Sequence, residues 1–220
     1  LMIHGSYDKK YLDKTSGTYK YSEHLGLLDF DYTSLDKIII SAKSNRVNKE
    51  DNELFFPTSI IEEFDYEYMF HTHPATPNPG SRMKDGILYE FPSISDIFHF
   101  IHHYNNGSTQ GSIIIAPEGL YNIHKLKLDD KKIDIDENEF FEELSFRLQE
   151  IQYDAIEKYN KISINNFYKK VVPNKTYINR YNKFLEKYEI CVDYYPRIKD
   201  NKGHWIIDSI YLPVKPIEIE

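Results

Sequence analysis

Phe70-His71-Thr72-His73-Pro74 and, further on, Pro92-Ser93-Ile94-Ser95-Asp96 carry the most specific pattern in the chain. Residues 64–70 include Tyr66, Tyr68, Met69 and Phe70 and read as a strand. Side chains two apart on a strand share a face, so His71 and His73 project together and Thr72 points away. Pro74 ends the strand because it has no N–H to give to a ladder. Two neighbouring imidazoles supply two of the three protein ligands that a catalytic zinc site needs. The missing ligand is expected to be a carboxylate or a further histidine.

Asp96 is the expected third ligand. Ser93 reads as a helix N-cap, since the run that follows is apolar at Ile94, Ile97, Phe98 and Ile101. Asp96 then falls in the first turn, on a rigid element. Taken alone, Ser-x-x-Asp is a plain capping signature, and His-x-His is more often two surface or core histidines. Their combination in this order is far more specific.

That combination, His-Thr-His-Pro followed by Pro-Ser-x-x-Asp, resembles the JAMM motif of MPN/JAB-domain zinc metallopeptidases. Many members of that family are isopeptidases acting on ubiquitin conjugates. The family motif also has an upstream glutamate in a Glu-x-x-Gly-(small apolar)-Leu context. Glu23-His24-Leu25-Gly26-Leu27-Leu28 fits it, 48 residues ahead of His71 (71 − 23). Glu50, Glu53, Glu62 and Glu63 also lie upstream, but the last two sit at the far end of the histidine strand. The resemblance covers roughly residues 20 to 125. One departure stands out: His73 and Ser93 are 20 residues apart (93 − 73), a longer join than is usual in the family.

The resemblance implies an α/β (α+β) fold, a JAB/MPN-like mixed β-sheet flanked by helices. It implies one Zn2+ per chain, held by the metal ligands His71, His73 and Asp96. Glu23 would be the general base and then acid, and the Ser93 hydroxyl the oxyanion donor. The implied substrate is a protein or peptide, with a ubiquitin conjugate favoured. The alternative is a non-catalytic MPN-type interaction module, which usually lacks some of the metal ligands. A cupin would place a glutamate soon after the histidine pair, and residues 75–80 have none. An amidohydrolase barrel would need more length. Both rank below the metallopeptidase.

Composition fits a folded globular chain, with 40% hydrophobic residues and 15% aromatics. The 19 tyrosines and 13 phenylalanines are high counts, which put many rings at half-buried or contact positions. With abundant Ile, Asn and Lys they suit an AT-rich coding genome such as that of a large DNA virus. The net charge of −8 argues against general nucleic-acid binding, which needs a basic surface. A single cysteine, Cys191, excludes an internal disulfide and suits a reducing compartment. Residues 1–6 lack the apolar core of a signal peptide, and no apolar run approaches membrane-spanning length. The expectation is a cytoplasmic or otherwise intracellular protein, in the host cell or virion if the source is viral, without a membrane partner.

Two regions are expected: a metalloprotease-like domain over 1–128 and a C-terminal helical and hairpin extension over 129–220. Ile38-Ile39-Ile40 reads as a short buried strand, Ser112–Ala116 as another, and Tyr121–Leu128 as a third. Residues 75–91, with Pro77, Pro79, Gly80 and Gly86, read as an ordered loop bordering the cleft. Its Ile87-Leu88-Tyr89 is expected to contact substrate or cover the metal. The helix after Ser93 is expected to end in a left-handed stop at Asn105-Asn106-Gly107. Phe141, Leu144, Leu148, Ile151, Ala155 and Tyr159 mark an amphipathic helix, and Ile178, Tyr181, Leu185 and Tyr188 a second. Residues 189–198 and 204–212 read as a hairpin. His99, His102 and His103 are expected to be surface histidines rather than a second zinc site. Cys191, His124 and His204 show no partner pattern. The lysines and arginine between Lys169 and Lys187 read as a solvated face.

Overall fold

A computed structural model describes residues 10–13, 17–21, 25–31, 34–40, 66–73 and 80–215. Strands β1 (Lys10–Asp13) and β2 (Thr18–Tyr21) form a small antiparallel pair. The main sheet comprises β3 (Leu25–Asp31), β4 (Ser34–Ile40), β5 (Tyr68–Thr72), β6 (Gly111–Ile115), β7 (Gly119–Lys125) and β8 (Ile190–Pro196). Its six strands run in the order β4-β3-β5-β6-β7-β8. Every pair is antiparallel except β5 with β6. A parallel pair needs a long crossover, and α1 (Ile94–Asn106) lies within it. The expected α/β class, a mixed sheet flanked by helices, is the observed one.

Alternation along the strands sorts the residues onto two faces. Ile114, Tyr121, Ile123, Ile190, Val192 and Tyr194 face a helical layer. That layer consists of α1, α2 (Glu137–Tyr159), the short α3 (Ile164–Asn166) with the wider turn Phe167–Val171, and α4 (Thr176–Leu185). Helical spacing brings Ile97, Phe100 and Ile101 of α1 against Phe140 and Leu144 of α2 and Tyr181 and Leu185 of α4. The opposite face holds Tyr68, Phe70, Ile113 and Leu120, covered by Ile207, Leu212 and Val214. The Tyr68 hydroxyl donates to the Pro213 carbonyl at 2.5 Å and ties that covering to the sheet. No helix among the described residues is long and apolar enough to cross a membrane.

Several tyrosines go deeper than half-burial. Tyr89 stacks on Phe91 at 4.7 Å and Tyr121 on Tyr194 at 4.8 Å, inside the main core. Each hydroxyl is satisfied: Tyr89 donates to Val171 O, Tyr121 to Glu118 Oε1 and Tyr194 to Val172 O. A buried tyrosine costs little when its hydroxyl has such a partner.

Four local expectations are corrected. Ile38 and Ile40 are exposed, because β4 is an edge strand. The 189–212 hairpin is reduced to a tip, β9 (Ile198–Lys199) with β10 (Trp205–Ile206). The longer strand before it pairs with β7 instead, where Ile190, Val192 and Tyr194 find an apolar face. Trp205 of the tip packs on Tyr168 at 4.2 Å. Gly107 ends α1 in extended rather than left-handed backbone, its N–H bonding His103 O. Leu88 and Tyr89 do not cover a cleft but are 2% and 1% exposed in the core. Gln152 of α2 holds them there: its Oε1 accepts from Leu88 N at 2.9 Å, and its Nε2 donates to Tyr89 O at 2.7 Å.

Gly26 is required by close approach. It sits opposite Phe70 and Ile40 in the sheet. A Cβ there would lie 2.1 Å from Ile39 O and 2.5 Å from the Phe70 ring. Gly26→Ala must shift backbone, so it is expected to lose about 1–3 kcal/mol of stability, read by denaturant unfolding. An unchanged midpoint would show that the strands separate freely at this point.

Candidate metal centre

The end of β5 and the start of α1 meet on the helical face of the sheet. His71 lies within β5, paired with Leu25 of β3 on one side and Ile114 of β6 on the other. His73 follows one residue beyond β5, and its N–H still donates to Ile115 O at 2.9 Å. The two-residue spacing therefore does what the alternation predicts, and both rings face α1. Asp96 is supplied by a capping box: Ser93 Oγ accepts from Asp96 N at 3.2 Å, and Ser93 N donates to Asp96 Oδ2 at 2.6 Å.

The three donors form a tight triangle. His71 Nε2 is 3.1 Å from His73 Nε2, 3.0 Å from Asp96 Oδ1, and His73 Nε2 is 3.3 Å from Asp96 Oδ2. A tetrahedral zinc ion with donors about 2.0–2.2 Å away has donor–donor edges of roughly 3.3–3.6 Å. The three separations, with one imidazole facing each Asp96 oxygen, lie within a few tenths of an ångström of those edges. His71 and Asp96 are each 5% exposed, so the donors are shielded from bulk water.

Outer contacts orient the donors as metal ligands need. His73 Nδ1 lies 3.3 Å from Glu90 O, an acceptor, so Nδ1 carries a proton and Nε2 is the nitrogen turned toward the triangle. Burial alone would raise the Asp96 pKa. The His71 and His73 rings overcome that and hold the carboxyl well below its usual range. It is an anion, as a ligand must be. Glu90 is itself fixed, because Arg82 Nη1 donates to both its carboxylate oxygens at 2.9 and 2.8 Å.

His71, His73, Asp96 and Ser93 are thus brought together as the sequence reading expects. Glu23 lies outside the described residues; the first described residue after it is Leu25, paired with His71. His99, His102 and His103 join no three-donor cluster among the described residues. His99 and His102 are exposed as expected, but His103 is buried rather than at the surface, because it lies on the inner side of α1.

Sequence reasoning missed Glu90, Arg82 and Glu118. Glu90 acts through a backbone carbonyl, which leaves no trace in residue type. Glu118 is 1% exposed beneath the β6–β7 turn. Its Oε1 accepts from Glu90 N at 2.6 Å and Tyr121 OH at 2.7 Å. The backbone of Glu90 therefore links Glu118, through its N–H, to His73, through its carbonyl.

No family model matches the chain, and no solved structure matches it. It is similar to a protein of Acanthamoeba polyphaga mimivirus described as uncharacterized, 37% identical over 221 residues. The match takes in 96% of this chain and 61% of that relative, so the chain spans about three-fifths of the relative's length.

Burial, then repulsion from Glu90, raises the Glu118 pKa from 4.5 to about 7. Because the folded value is the higher one, the folded state holds the extra proton between these values. The stability it confers is complete below pH 4.5 and is lost as pH rises through about 7. A shift of this size corresponds to about 3 kcal/mol. Glu118→Gln lacks the titration, so the stability of wild type relative to the variant should fall by that order between about pH 4 and about pH 8. Parallel pH profiles from denaturant unfolding of the two proteins would place the titration elsewhere.

Proposed function

We propose that the chain is a zinc-dependent peptide or isopeptide hydrolase whose metal is held by His71, His73 and Asp96. The observation that carries this reading is the triangle of three convergent donors. Its histidine tautomer is set by Glu90 and its carboxylate is held by Ser93 N–H. Bound zinc would bring the pKa of a water to about 7 and polarise a carbonyl.

The chain's own residues supply the rest. Glu23 takes the proton of the attacking water on its carboxylate and returns it to the leaving nitrogen. Support comes from the Glu-x-x-Gly-Leu-Leu context and from the pairing of Leu25, two residues on, with His71. Ser93 donates its hydroxyl proton to the developing oxyanion. Its Oγ accepts from Asp96 N, and accepting leaves that proton available. In the free protein the Ser95 hydroxyl is its neighbour at 2.8 Å.

The resemblance to JAMM-type metallopeptidases makes an isopeptide-linked ubiquitin or similar modifier the favoured substrate, and no residue here identifies ubiquitin. A single cysteine and a viral relative suit an intracellular site of action.

Zinc analysis tests the reading directly. In a Cys191→Ser background, which removes the only thiol, about one zinc per chain is expected. It should be lost on substitution of His71, His73 or Asp96 by Ala. A folded protein that takes up no zinc would sink the proposal. Zinc binding without cleavage of any ubiquitin-conjugate or peptide substrate would favour the non-catalytic interaction module.

Two variants then separate the roles. Glu23→Gln should keep the zinc and lose about 10²–10⁴ in turnover. Ser93→Ala should keep it and lose about 10²–10³, with about 1 kcal/mol of stability from the missing cap. Full turnover in either variant removes that residue from the mechanism.

A further inference from the structure

On the other face of the sheet, far along it from β5, three more metal-binding side chains converge. His124 of β7 sits directly opposite Cys191 of β8, and Asp193 lies two residues along β8 on the same face. One donor atom from each, an imidazole nitrogen, the thiol sulfur and a carboxylate oxygen, all lie within 4.8 Å of one another. His124 Nε2 and Asp193 Oδ2 are 3.1 Å apart. His124 Nδ1 lies 2.8 Å from Lys125 O, which fixes the proton on Nδ1 and turns Nε2 toward the other two donors. This is the same outer-shell device that Glu90 O provides for His73. It recurs here with no sequence relation to the first centre.

We propose that His124, Cys191 and Asp193 form a second metal site for a borderline divalent cation of the zinc type, with a fourth position open to water. The ligand set decides the cation class. A thiolate and an imidazole together favour Zn2+ over Mg2+ or Ca2+, which take oxygen ligands. Binding displaces the proton from the Cys191 thiol and any proton on His124 Nε2. Cys191 and Asp193 are half-buried, and the Asp193 side chain is 41% exposed. Both can therefore rotate to close the wider separations, and solvent can deliver the ion. The site bridges β7 to the edge strand β8, so the bound ion staples that edge to the sheet. It needs no residue of the first centre.

Cobalt(II) reports on this site alone, because Cys191 is the only cysteine in the chain. Metal-free full-length chain is titrated with Co(II) while the near-ultraviolet thiolate-to-cobalt charge-transfer band is followed. The band is expected in wild type and in a His71→Ala/His73→Ala double variant, and absent in Cys191→Ser. His124→Gln and Asp193→Asn should weaken Co(II) binding by at least the roughly 10–100-fold that loss of an outer-shell partner costs.

Folded wild type that binds Co(II) without the band would overturn the proposal and leave His124 and Asp193 as an ion pair only. A band of undiminished affinity in both His124→Gln and Asp193→Asn would overturn it equally, since the thiol would then bind alone. Wild type that shows the band but takes up no metal at His71, His73 and Asp96 would count against the hydrolase reading and leave the second site standing.

Discussion

The Asp96 carboxylate serves two masters, and the arrangement of the centre depends on that sharing. One of its oxygens accepts the Ser93 N–H that begins α1, while the pair of oxygens faces both imidazoles of the histidine strand. A buried anion is expensive unless it is paired and hydrogen-bonded. Here the helix start supplies the hydrogen bond and the strand end supplies the partners. The start of α1 is thereby tied to the end of β5, within the crossover that the parallel β5–β6 pair requires. An ion binding to the triangle would find its ligands already brought together by the fold, so little ordering entropy remains to be lost on binding.

The second support is the aromatic core beneath that contact. Tyr89, Phe91, Tyr121, Tyr181 and Tyr194 pack between sheet and helices, with Gln152 of α2 gripping the backbone at 88–89. The segment that ends at Glu90 is therefore clamped from the C-terminal third of the chain, even though it contacts His73. Beyond Asp96 of α1, the helical layer contributes no donor to the triangle, but α2 sets the position of the carbonyl that lies against His73 Nδ1. Glu118 adds a second hold on the same peptide from the β6–β7 turn.

What could be read from the sequence was local. The alternation at His71 and His73 and the three-residue step from Ser93 to Asp96 are short-range geometry, so the triangle was legible before any fold was known. The helices at 137–159 and 176–185 followed from apolar spacing in the same way. Pairings across long separations were not legible. Cys191 and His124 are 67 residues apart (191 − 124), and nothing in either neighbourhood announces that β8 leaves its own hairpin to join β7. Ile38-Ile39-Ile40 looked buried because residue type cannot distinguish a central strand from an edge. The role of Glu90 was invisible because a backbone oxygen carries it. Arg82 and Glu118 have side chains that could be seen, but their partners could not.

Trp205 gives the molecule a built-in optical division. It is the single tryptophan among 19 tyrosines, and it stacks on Tyr168 beside the ammonium of Lys199 at the β9–β10 tip. Indole emission therefore follows the seating of that tip on the Phe167–Val171 turn. The stacked tyrosines of the core contribute to the aromatic circular dichroism. Fluorescence and ellipticity recorded together on one unfolding sample resolve release of the tip from loss of the core.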